Sequence, residues 1–319
     1  MQANGLKISD QLAHLNPTGA YVNLANLLRL RFAAQDLKLF VKRAVKSQLN
    51  GAERTRFRGR GMDFEEVRLY QAGDDVRSID WRVTARTQVP HTKLYREERE
   101  RPVFVLVDQR APMFFGSQRC FKSVLAAHIA ANLAWAALNN SDRIGGLIFG
   151  DKSQRDIRPR RSKHAVLELL HQLQEFNQQL QSPISPADSK PLSALLNDAR
   201  RIAKPGCALF MVSDFHDYDQ SCEQQLFELA RHTDVTLIHV LDPLEKQLHS
   251  NNRLTISDGV SRLQLPTDDS RFQQAYQNAY MQRLDFLTNS AKRLGIPLLS
   301  YSTTDNLQQL LRERFAAKK

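Results

Sequence analysis

Two aspartates stand at the ends of strongly apolar stretches and are the first candidates for chemistry. Asp108 ends the apolar run 103–108, and Asp214 ends the run 207–214. Continuous apolar runs of this length are typical of strands that are buried on both faces of a sheet. Carboxylate oxygens are the ligands that a hard divalent cation prefers. The pattern therefore raises the question of a cation site at one edge of a sheet.

The elements that must position these acids alternate between strands and helices after about residue 101. The predicted strands are 103–108, 143–149, an edge strand within 151–161, 207–214, 235–242, a hairpin within 253–265, and 297–301. The predicted helices are 122–138, 162–180, 192–203, 222–232, 269–294 and 306–315. Alternation of this kind requires crossover connections, so it predicts a doubly wound, mostly parallel α/β sheet of the Rossmann type. Ligands of such sheets bind outside the carboxyl ends of the strands.

The most specific stretch of the sequence is residues 59–86, which are dense in arginine and aspartate. We predict a short helix or turn over 64–70, a tight turn at Gly73, and a compact apolar anchor over 79–81. Arginine and aspartate side chains pair through bidentate hydrogen bonds, which fixes a small subdomain without a large apolar core. The residues assigned this structural role are Arg68, Tyr70, Gly73, Asp74, Asp75, Arg77, Asp80, Trp81 and Arg86.

The pattern G-x-G-x-x-F-x-x-x-R-x-Y-x-x-G-D-D-x-R-x-I-D-W-x-x-x-A-R of these residues resembles the signature of the domain-of-unknown-function-58 family. The resemblance extends from about residue 27 to the C-terminus. It implies an N-terminal segment joined to a von Willebrand factor A-like domain, and an association with MoxR-type AAA+ ATPases. We accordingly divide the chain into an extension over 1–25, an Arg/Asp-rich subdomain over 26–100, and a von Willebrand factor A-like domain over 101–319.

The metal site that this resemblance implies is altered at several positions. In von Willebrand factor A domains it reads Asp-x-Ser-x-Ser, with a threonine and an aspartate from later loops. Here Arg110 and Pro112 replace the two serines, and the loop that should supply the threonine carries Lys190. Arginine has a fixed positive charge that repels a cation, and proline offers no side-chain ligand. We expect a metal-free site in which Arg110 pairs with Asp108 or Asp214, with Mg²⁺ as a weak alternative.

The resemblance implies that the chain functions by binding other proteins. We expect a non-enzymatic adaptor or co-chaperone that acts with a MoxR-type AAA+ ATPase in the assembly or activation of client proteins. The sequence has no GxxxxGK[ST] loop, no GxSxG elbow and no HExxH pair, so we predict no catalytic residues. The expected partner-binding residues lie at the carboxyl edge of the sheet, where Arg110 contacts a partner's acid directly. They are Arg110, Ser213, Asp214 and Asp217.

Residues 42–60 suggest an alternative function, because seven lysines and arginines stand there against one glutamate in a chain of net charge +11. A basic segment of this kind attracts nucleic acid or another polyanion. Phe57 is its only aromatic residue, so stacking on single-stranded bases is poorly supported.

The cysteines and the N-terminus indicate the compartment. Cys120, Cys207 and Cys222 form neither a disulfide framework nor a CxxC pattern, so we expect buried thiols. No window of 18 apolar residues and no charged-then-apolar leader is present in the sequence. We therefore predict a cytoplasmic protein without a membrane span.

Overall fold

The computed structural model describes residues 14–39, 62–97, 102–181, 189–248, 254–257 and 261–316. The chain forms two compact units, one built from Met1–Val41 with Arg101–Lys319 and the other from Lys42–Glu100. The strands are β1 (Met62–Leu69), β2 (His91–Glu97), β3 (Val103–Asp108), β4 (Ile144–Phe149), β5 (Gln154–Arg160), β6 (Ala208–Ser213), β7 (Asp234–Leu241), β8 (Thr255–Ser257), β9 (Arg262–Gln264) and β10 (Leu298–Ser302). The helices are α1 (Leu24–Ala33), α2 (Trp81–Thr87), α3 (Lys122–Asn139), α4 (Lys163–Gln179), α5 (Leu192–Ile202), α6 (Gln220–Ala230), α7 (Pro243–Lys246), α8 (Ser270–Arg293) and α9 (Leu307–Phe315). The basic run 42–60 lies outside the described residues, as do residues 258–260 of the hairpin predicted within 253–265.

A six-stranded sheet organises the larger unit, in the order β10-β7-β6-β3-β4-β5. All neighbouring strands are parallel except β5, which pairs antiparallel with β4 at one edge. β3, β4 and β6 are buried along their whole length, which explains why their sequences are continuous apolar runs. The predicted doubly wound, mostly parallel sheet is confirmed, including the edge strand within 151–161.

Helices cover both faces of this sheet and complete two apolar cores. One core joins α1, α3, α4 and α9 to the sheet face that carries Val103, Val105 and Val107. The other joins α5, α6 and α8 to the face that carries Phe104 and Leu106. The predicted buried helix near 122–138 is α3, in which nearly every residue is inaccessible to solvent. It is apolar on all sides because the sheet, α1 and α4 surround it.

Close packing of β4 against its neighbouring strands requires two consecutive glycines. A Cβ atom on Gly145 would lie 2.6 Å from the carbonyl oxygen of Ile157 on β5. A Cβ atom on Gly146 would lie 2.8 Å from the carbonyl oxygen of Val105 on β3. Distances this short exclude any side chain, so the pair lets β4 fit between its two neighbours.

The N-terminal boundaries predicted from the sequence are wrong. Residues 14–39 pack on the α/β sheet and belong to the larger unit, so neither a separate extension over 1–25 nor a subdomain starting at 26 describes the structure. Leu27 and Leu30 of α1 are fully buried in the core. The Trp135 indole donates to the backbone oxygen of Leu27 at 3.0 Å, and the amide of Val22 donates to Asn177 at 2.7 Å. The smaller unit is therefore an insertion between α1 and β3.

The smaller unit contains a strand where we predicted a helix or turn. Residues 62–69 form β1, which pairs antiparallel with β2. The predicted tight turn is present, since Gly73 has φ +110°, a conformation that glycine tolerates and other residues avoid. The interpretation of Trp81 as a buried anchor is wrong, because 68% of its surface is exposed.

The Arg–Asp network of the smaller unit is sparser than predicted. Arg68 and Asp74 form one ion pair, with Nη2 2.7 Å from Oδ1. Asp80 instead approaches Lys93, at 3.5 Å, and caps α2 by accepting from the amides of Arg82 and Val83. Asp75 accepts from the backbone amide of Arg77, at the start of a 3₁₀ turn over Val76–Ser78. Backbone capping thus replaces most of the expected bidentate pairs.

The described residues also bear on membrane-spanning helices and on the state of the cysteines. No helix among them is long and apolar enough to cross a membrane. The three cysteines are buried thiols, and burial raises the pKa of Cys120 and of Cys222 to about 12. Thiols in this state are protonated and unreactive at neutral pH.

The reassignment of α1 to the α/β unit predicts unequal effects of two substitutions in that helix. Leu27→Ala removes a fully buried side chain and is expected to lower the free energy of unfolding by about 2–5 kcal/mol. Phe32→Ala, at a side chain that is 53% exposed, is the matched control and should change it by less than about 0.5 kcal/mol. Urea unfolding measures both. Equal effects of the two changes would contradict the assignment.

Candidate functional site

The candidate site lies where the strand order of the sheet reverses. From β3 the chain continues to β4 and β5 on one side, while β6, β7 and β10 lie on the other. β3 and β6 are parallel neighbours, so Asp108 at the end of β3 and Ser213 at the end of β6 meet at the same edge. This is the position at which ligands bind to doubly wound sheets.

Arg110 occupies the centre of this edge and is 1% exposed. Its Nε donates to Asp108 Oδ1 at 3.1 Å and its Nη2 donates to Asp108 Oδ2 at 2.8 Å. On the other side Nη1 and Nη2 donate to the two carboxylate oxygens of Asp217 at 2.7 and 3.0 Å. Nη1 also donates to the backbone oxygen of Lys190 at 3.0 Å. All five guanidinium donors are therefore satisfied within the protein.

The charge of Arg110 is stabilised despite its burial. Desolvation disfavours the charged form, but the charge of Asp108 and the hydrogen bonds to Asp217 and Asp108 outweigh it, so the pKa of Arg110 is raised above its ordinary value. Ser213 completes the arrangement, because its hydroxyl donates to Asp108 Oδ2 at 2.7 Å. The amide of Leu192 donates to Asp217 Oδ2 at 2.9 Å. The cluster thus links β3, β6 and the start of α5.

Asp214 has a different partner from the one predicted. It accepts from the ammonium group of Lys122, the first residue of α3, at 2.7 Å, and the same ammonium group donates to Glu245. Lys122 and Asp214 side chains are 2% and 4% exposed. Burial disfavours both charges, but their mutual attraction outweighs it, which lowers the pKa of Asp214 and raises that of Lys122. Burial leaves the pKa of Glu245 raised, so Asp214 is the more strongly ionised of the two acids.

Two histidines stand beside Asp214. His216 Nδ1 lies 3.2 Å from Asp214 Oδ1, and although burial opposes the charge, this hydrogen bond leaves the pKa of His216 raised. His239 is 5% exposed, and desolvation lowers its pKa to about 4. Its Nδ1 is buried without a hydrogen-bond partner in the part of the chain that the structure describes. At neutral pH His239 is therefore an uncharged ring.

A third strand-end acid is Asp242, which sequence reasoning missed as a site residue. It is fully buried, and accepts from the Ser117 amide and hydroxyl at 2.9 and 2.6 Å and from the Thr303 hydroxyl at 2.5 Å. Burial raises its pKa, but these donors outweigh that effect and leave the pKa lowered. The signal was present, because the run 235–242 also ends in an aspartate. Lys122 and Glu245 gave no such signal, since a lysine at the start of a helix is ordinarily exposed.

The structure brings the predicted site residues together but buries most of them. The expected Arg110–Asp108 pair is present, whereas the alternative Arg110–Asp214 pair is not. Arg110, Ser213 and Asp214 are buried, so the expectation that Arg110 contacts a partner's acid directly is wrong. Asp217 alone of the predicted partner-binding residues is partly exposed, with 27% of its side chain accessible. Lys190 contributes its backbone oxygen, and its side chain is exposed.

The donor set at this edge does not fit a divalent cation. The guanidinium of Arg110 fills the space between Asp108 and Asp217, and the ammonium of Lys122 is bound to Asp214. Pro112 lies in a 3₁₀ turn over Ala111–Met113 and offers no side-chain oxygen. Both positive charges would repel an added cation. Among the described residues no group of three His, Cys, Asp or Glu side chains is arranged to hold a metal ion.

Comparison with known proteins decides the family. The sequence profile of the family described as "Protein of unknown function DUF58" matches residues 66–285. The chain belongs to this family. The DUF58 match starts in β1, crosses the insertion, and ends in α8, so it spans both units of the structure.

Relatives of this DUF58 chain carry descriptions without a function. The uncharacterized protein Rv1480 of Mycobacterium tuberculosis is 30% identical over 278 residues, covering 86% of this chain and 85% of the relative. The uncharacterized protein Mb1516 of Mycobacterium bovis matches to the same extent. Among solved structures, the crystal structure of the SpRpn10 VWA domain is 13% identical, with a TM-score of 0.36, and covers 68% of this chain and 95% of that domain.

The central position of Arg110 predicts that its removal destabilises the fold. Arg110→Ala leaves Asp108 buried without a counter-charge, so we expect a loss of about 3–5 kcal/mol in the free energy of unfolding. Lys190→Ala is the control, because it removes an exposed side chain and keeps the backbone oxygen that Arg110 binds. We expect it to change the free energy of unfolding by less than about 0.5 kcal/mol. Urea unfolding measures both. A folded Arg110→Ala variant of unchanged stability would contradict the cluster's structural role.

His128 in α3 and His239 in β7 are buried and uncharged at neutral pH, and they predict a loss of stability in mild acid. Desolvation lowers the pKa of His128 and of His239 to about 4, below the value of about 6.5 expected in the unfolded chain. Their contribution is therefore present above pH 6.5 and is lost as the pH falls towards 4. Each histidine is expected to remove about 3 kcal/mol over this window.

The measurement is the free energy of unfolding at several pH values between 7 and 4. The double variant His128→Asn/His239→Asn should show a flatter profile than the wild type over this window. His171→Asn, at a side chain that is 59% exposed, should leave the profile unchanged. A double variant with the wild-type slope would show that other groups cause the acid sensitivity.

Proposed function

We propose that the chain is a non-enzymatic adaptor that acts with a MoxR-type AAA+ ATPase in the assembly or activation of client proteins. The proposal starts from membership of the DUF58 family and from the von Willebrand factor A-like arrangement that the family resemblance implies. The observation that carries it is the filling of the carboxyl edge by Arg110 and Lys122. An edge whose acids are neutralised from within presents a preformed surface rather than a reaction centre.

The exposed groups at this edge define what the partner must offer. Asp217 and Glu245 keep 27% and 26% of their side chains accessible, while the two cations that they bind are buried. The partly exposed member of each ion-pair cluster is therefore an acid, although the whole chain has a net charge of +11. A basic group of the ATPase fits this surface, which is the reverse of the acidic contact expected from the sequence. Charge complementarity of this kind sets specificity and association rate.

The proposal predicts binding that needs no free divalent cation. The purified ATPase from the same organism, loaded with ADP, is titrated with the chain by calorimetry, in buffer with Mg²⁺ and in buffer with EDTA. We expect equal affinity in the two buffers, because Arg110 occupies the position of a cation. Absence of binding in both buffers would refute the adaptor function. Binding only with Mg²⁺ would refute its metal independence.

One substitution tests the edge as the docking surface. Glu245→Gln removes the partly exposed negative charge while Lys122 keeps its bond to Asp214, and we expect affinity for the ATPase to fall about tenfold. Glu228→Gln on α6 is the matched control, because Glu228 is 38% exposed and, among the described residues, its ion-pair partner is the exposed Arg231. Equal affinities of the two variants would place the docking surface elsewhere. Thermal melting of each variant checks that the fold is retained.

A further inference from the structure

Trp81 is the most exposed large apolar side chain among the described residues, at 68%. The other tryptophan, Trp135, is 3% exposed and its indole is hydrogen-bonded. Tryptophan is a large side chain that proteins ordinarily bury, and an exposed one at a protein surface is enriched where partners bind. Trp81 belongs to the smaller unit.

Other exposed apolar side chains of the smaller unit come from backbone that lies close to the backbone of Trp81. Leu69 is 55% exposed and pairs with His91 across β1 and β2, and Val89 is 47% exposed just before that residue. Asp80, which precedes Trp81, donates its amide to the backbone oxygen of His91 at 2.8 Å. These three apolar side chains therefore start from backbone gathered around His91. Val76, in the adjoining 3₁₀ turn, is 58% exposed.

Three arginines accompany these residues and have no counter-charge among the side chains that the structure describes. Arg77, Arg82 and Arg86 are exposed, and none forms an ion pair with any residue in the described segments. The only carboxylate in the stretch 76–93 is that of Asp80, which caps α2 and approaches Lys93. We define the Trp81 surface as Leu69, Val76, Trp81 and Val89 together with Arg77, Arg82 and Arg86.

The backbone that carries Trp81 is fixed by hydrogen bonds at both ends of α2. Asp80 accepts from the amides of Arg82 and Val83 at 3.0 and 3.3 Å. The helix ends at Gln88 with φ 59°, and its amide donates to the Thr84 oxygen. Rigid presentation lowers the entropy lost on binding.

We propose that the Trp81 surface binds an acidic protein segment that carries apolar side chains. Trp81, Leu69, Val76 and Val89 supply apolar contact area, and the three arginines supply charges that carboxylates satisfy bidentately. A protein segment fits better than a nucleic acid, because the exposed apolar neighbours of Trp81 in the described part of the smaller unit are aliphatic and offer no second stacking platform. This proposal extends beyond the adaptor function, since it concerns the inserted unit and holds whichever protein supplies the segment.

Trp81 itself reports the test. The full chain is titrated with a synthetic peptide of alternating leucine and glutamate residues, and acrylamide quenching of the fluorescence is followed; Trp135 is buried and contributes little quenching. The comparison ligands are polyglutamate, a leucine–lysine peptide of the same length, and a dT20 oligonucleotide. We expect the leucine–glutamate peptide to protect Trp81, with affinity that falls as salt rises. Polyglutamate should bind at least tenfold more weakly than the leucine–glutamate peptide, and the leucine–lysine peptide should not protect Trp81 from acrylamide.

Variants locate the site, with binding followed by calorimetry. Trp81→Ala and the double variant Arg82→Glu/Arg86→Glu should each lower the affinity for the leucine–glutamate peptide at least tenfold. Their controls are Phe227→Ala, at a side chain that is 50% exposed on α6, and Arg283→Glu/Lys292→Glu, at exposed cations on α8; both should bind like the wild type. Because Trp81, Arg82 and Arg86 are exposed, their substitution should leave thermal melting unchanged.

Three outcomes would overturn the proposal. The first is no binding of the leucine–glutamate peptide at millimolar concentration. The second is undiminished binding by Trp81→Ala, which would place the peptide elsewhere. The third is protection of Trp81 by dT20 in preference to the peptide, which would make the surface a nucleic-acid site.

Discussion

The ion-pair cluster around Arg110 is the constraint on which the carboxyl edge of the sheet depends. One planar side chain joins the end of β3, the loop before α5 and the loop after β6, through Asp108, Lys190 and Asp217. A guanidinium bound on two sides by carboxylates fixes angles as well as distances, which a lysine could not do. The geometry of the loops at the switch point therefore follows from this one residue.

Lys122 extends the same principle to the second half of the edge. It links the start of α3 to Asp214 after β6 and to Glu245 in α7. Each buried cation thus serves two acids, one buried and one partly exposed. Burial of charges is costly unless they are paired. Removal of one partner would leave the other charge buried and uncompensated, which would strongly lower the free energy of unfolding. The partly exposed member of each pair is an acid, which determines the kind of partner that we expect there.

The sequence predicted the sheet well because each of its inner strands is buried on both faces, as with the run 103–108 that became β3. It failed in the inserted unit, where β1 has the mixed composition MDFEEVRL and no clear periodicity. Of the two partners expected for Arg110, the structure shows Asp108, which is only two residues away in the sequence, and not Asp214. Lys122 could not be foreseen, because its partners are 92 and 123 residues away in the sequence. The compact apolar anchor at Trp81 was inferred from residue type alone, whereas exposure is set by tertiary structure.

The contacts of residues 14–39 with the C-terminal residues have a consequence for a nicked form of the protein. Leu37 forms a bridge with Ala316, and the amide of Lys38 donates to the Phe315 oxygen at 2.6 Å. Leu27 and Leu30 are buried in the core, and Asn16 bonds to Asn306 and to the amide of Gln308. A protease that cuts the insertion would therefore yield two fragments that remain associated. The same contacts should allow the two pieces, produced separately, to reconstitute the α/β unit by fragment complementation.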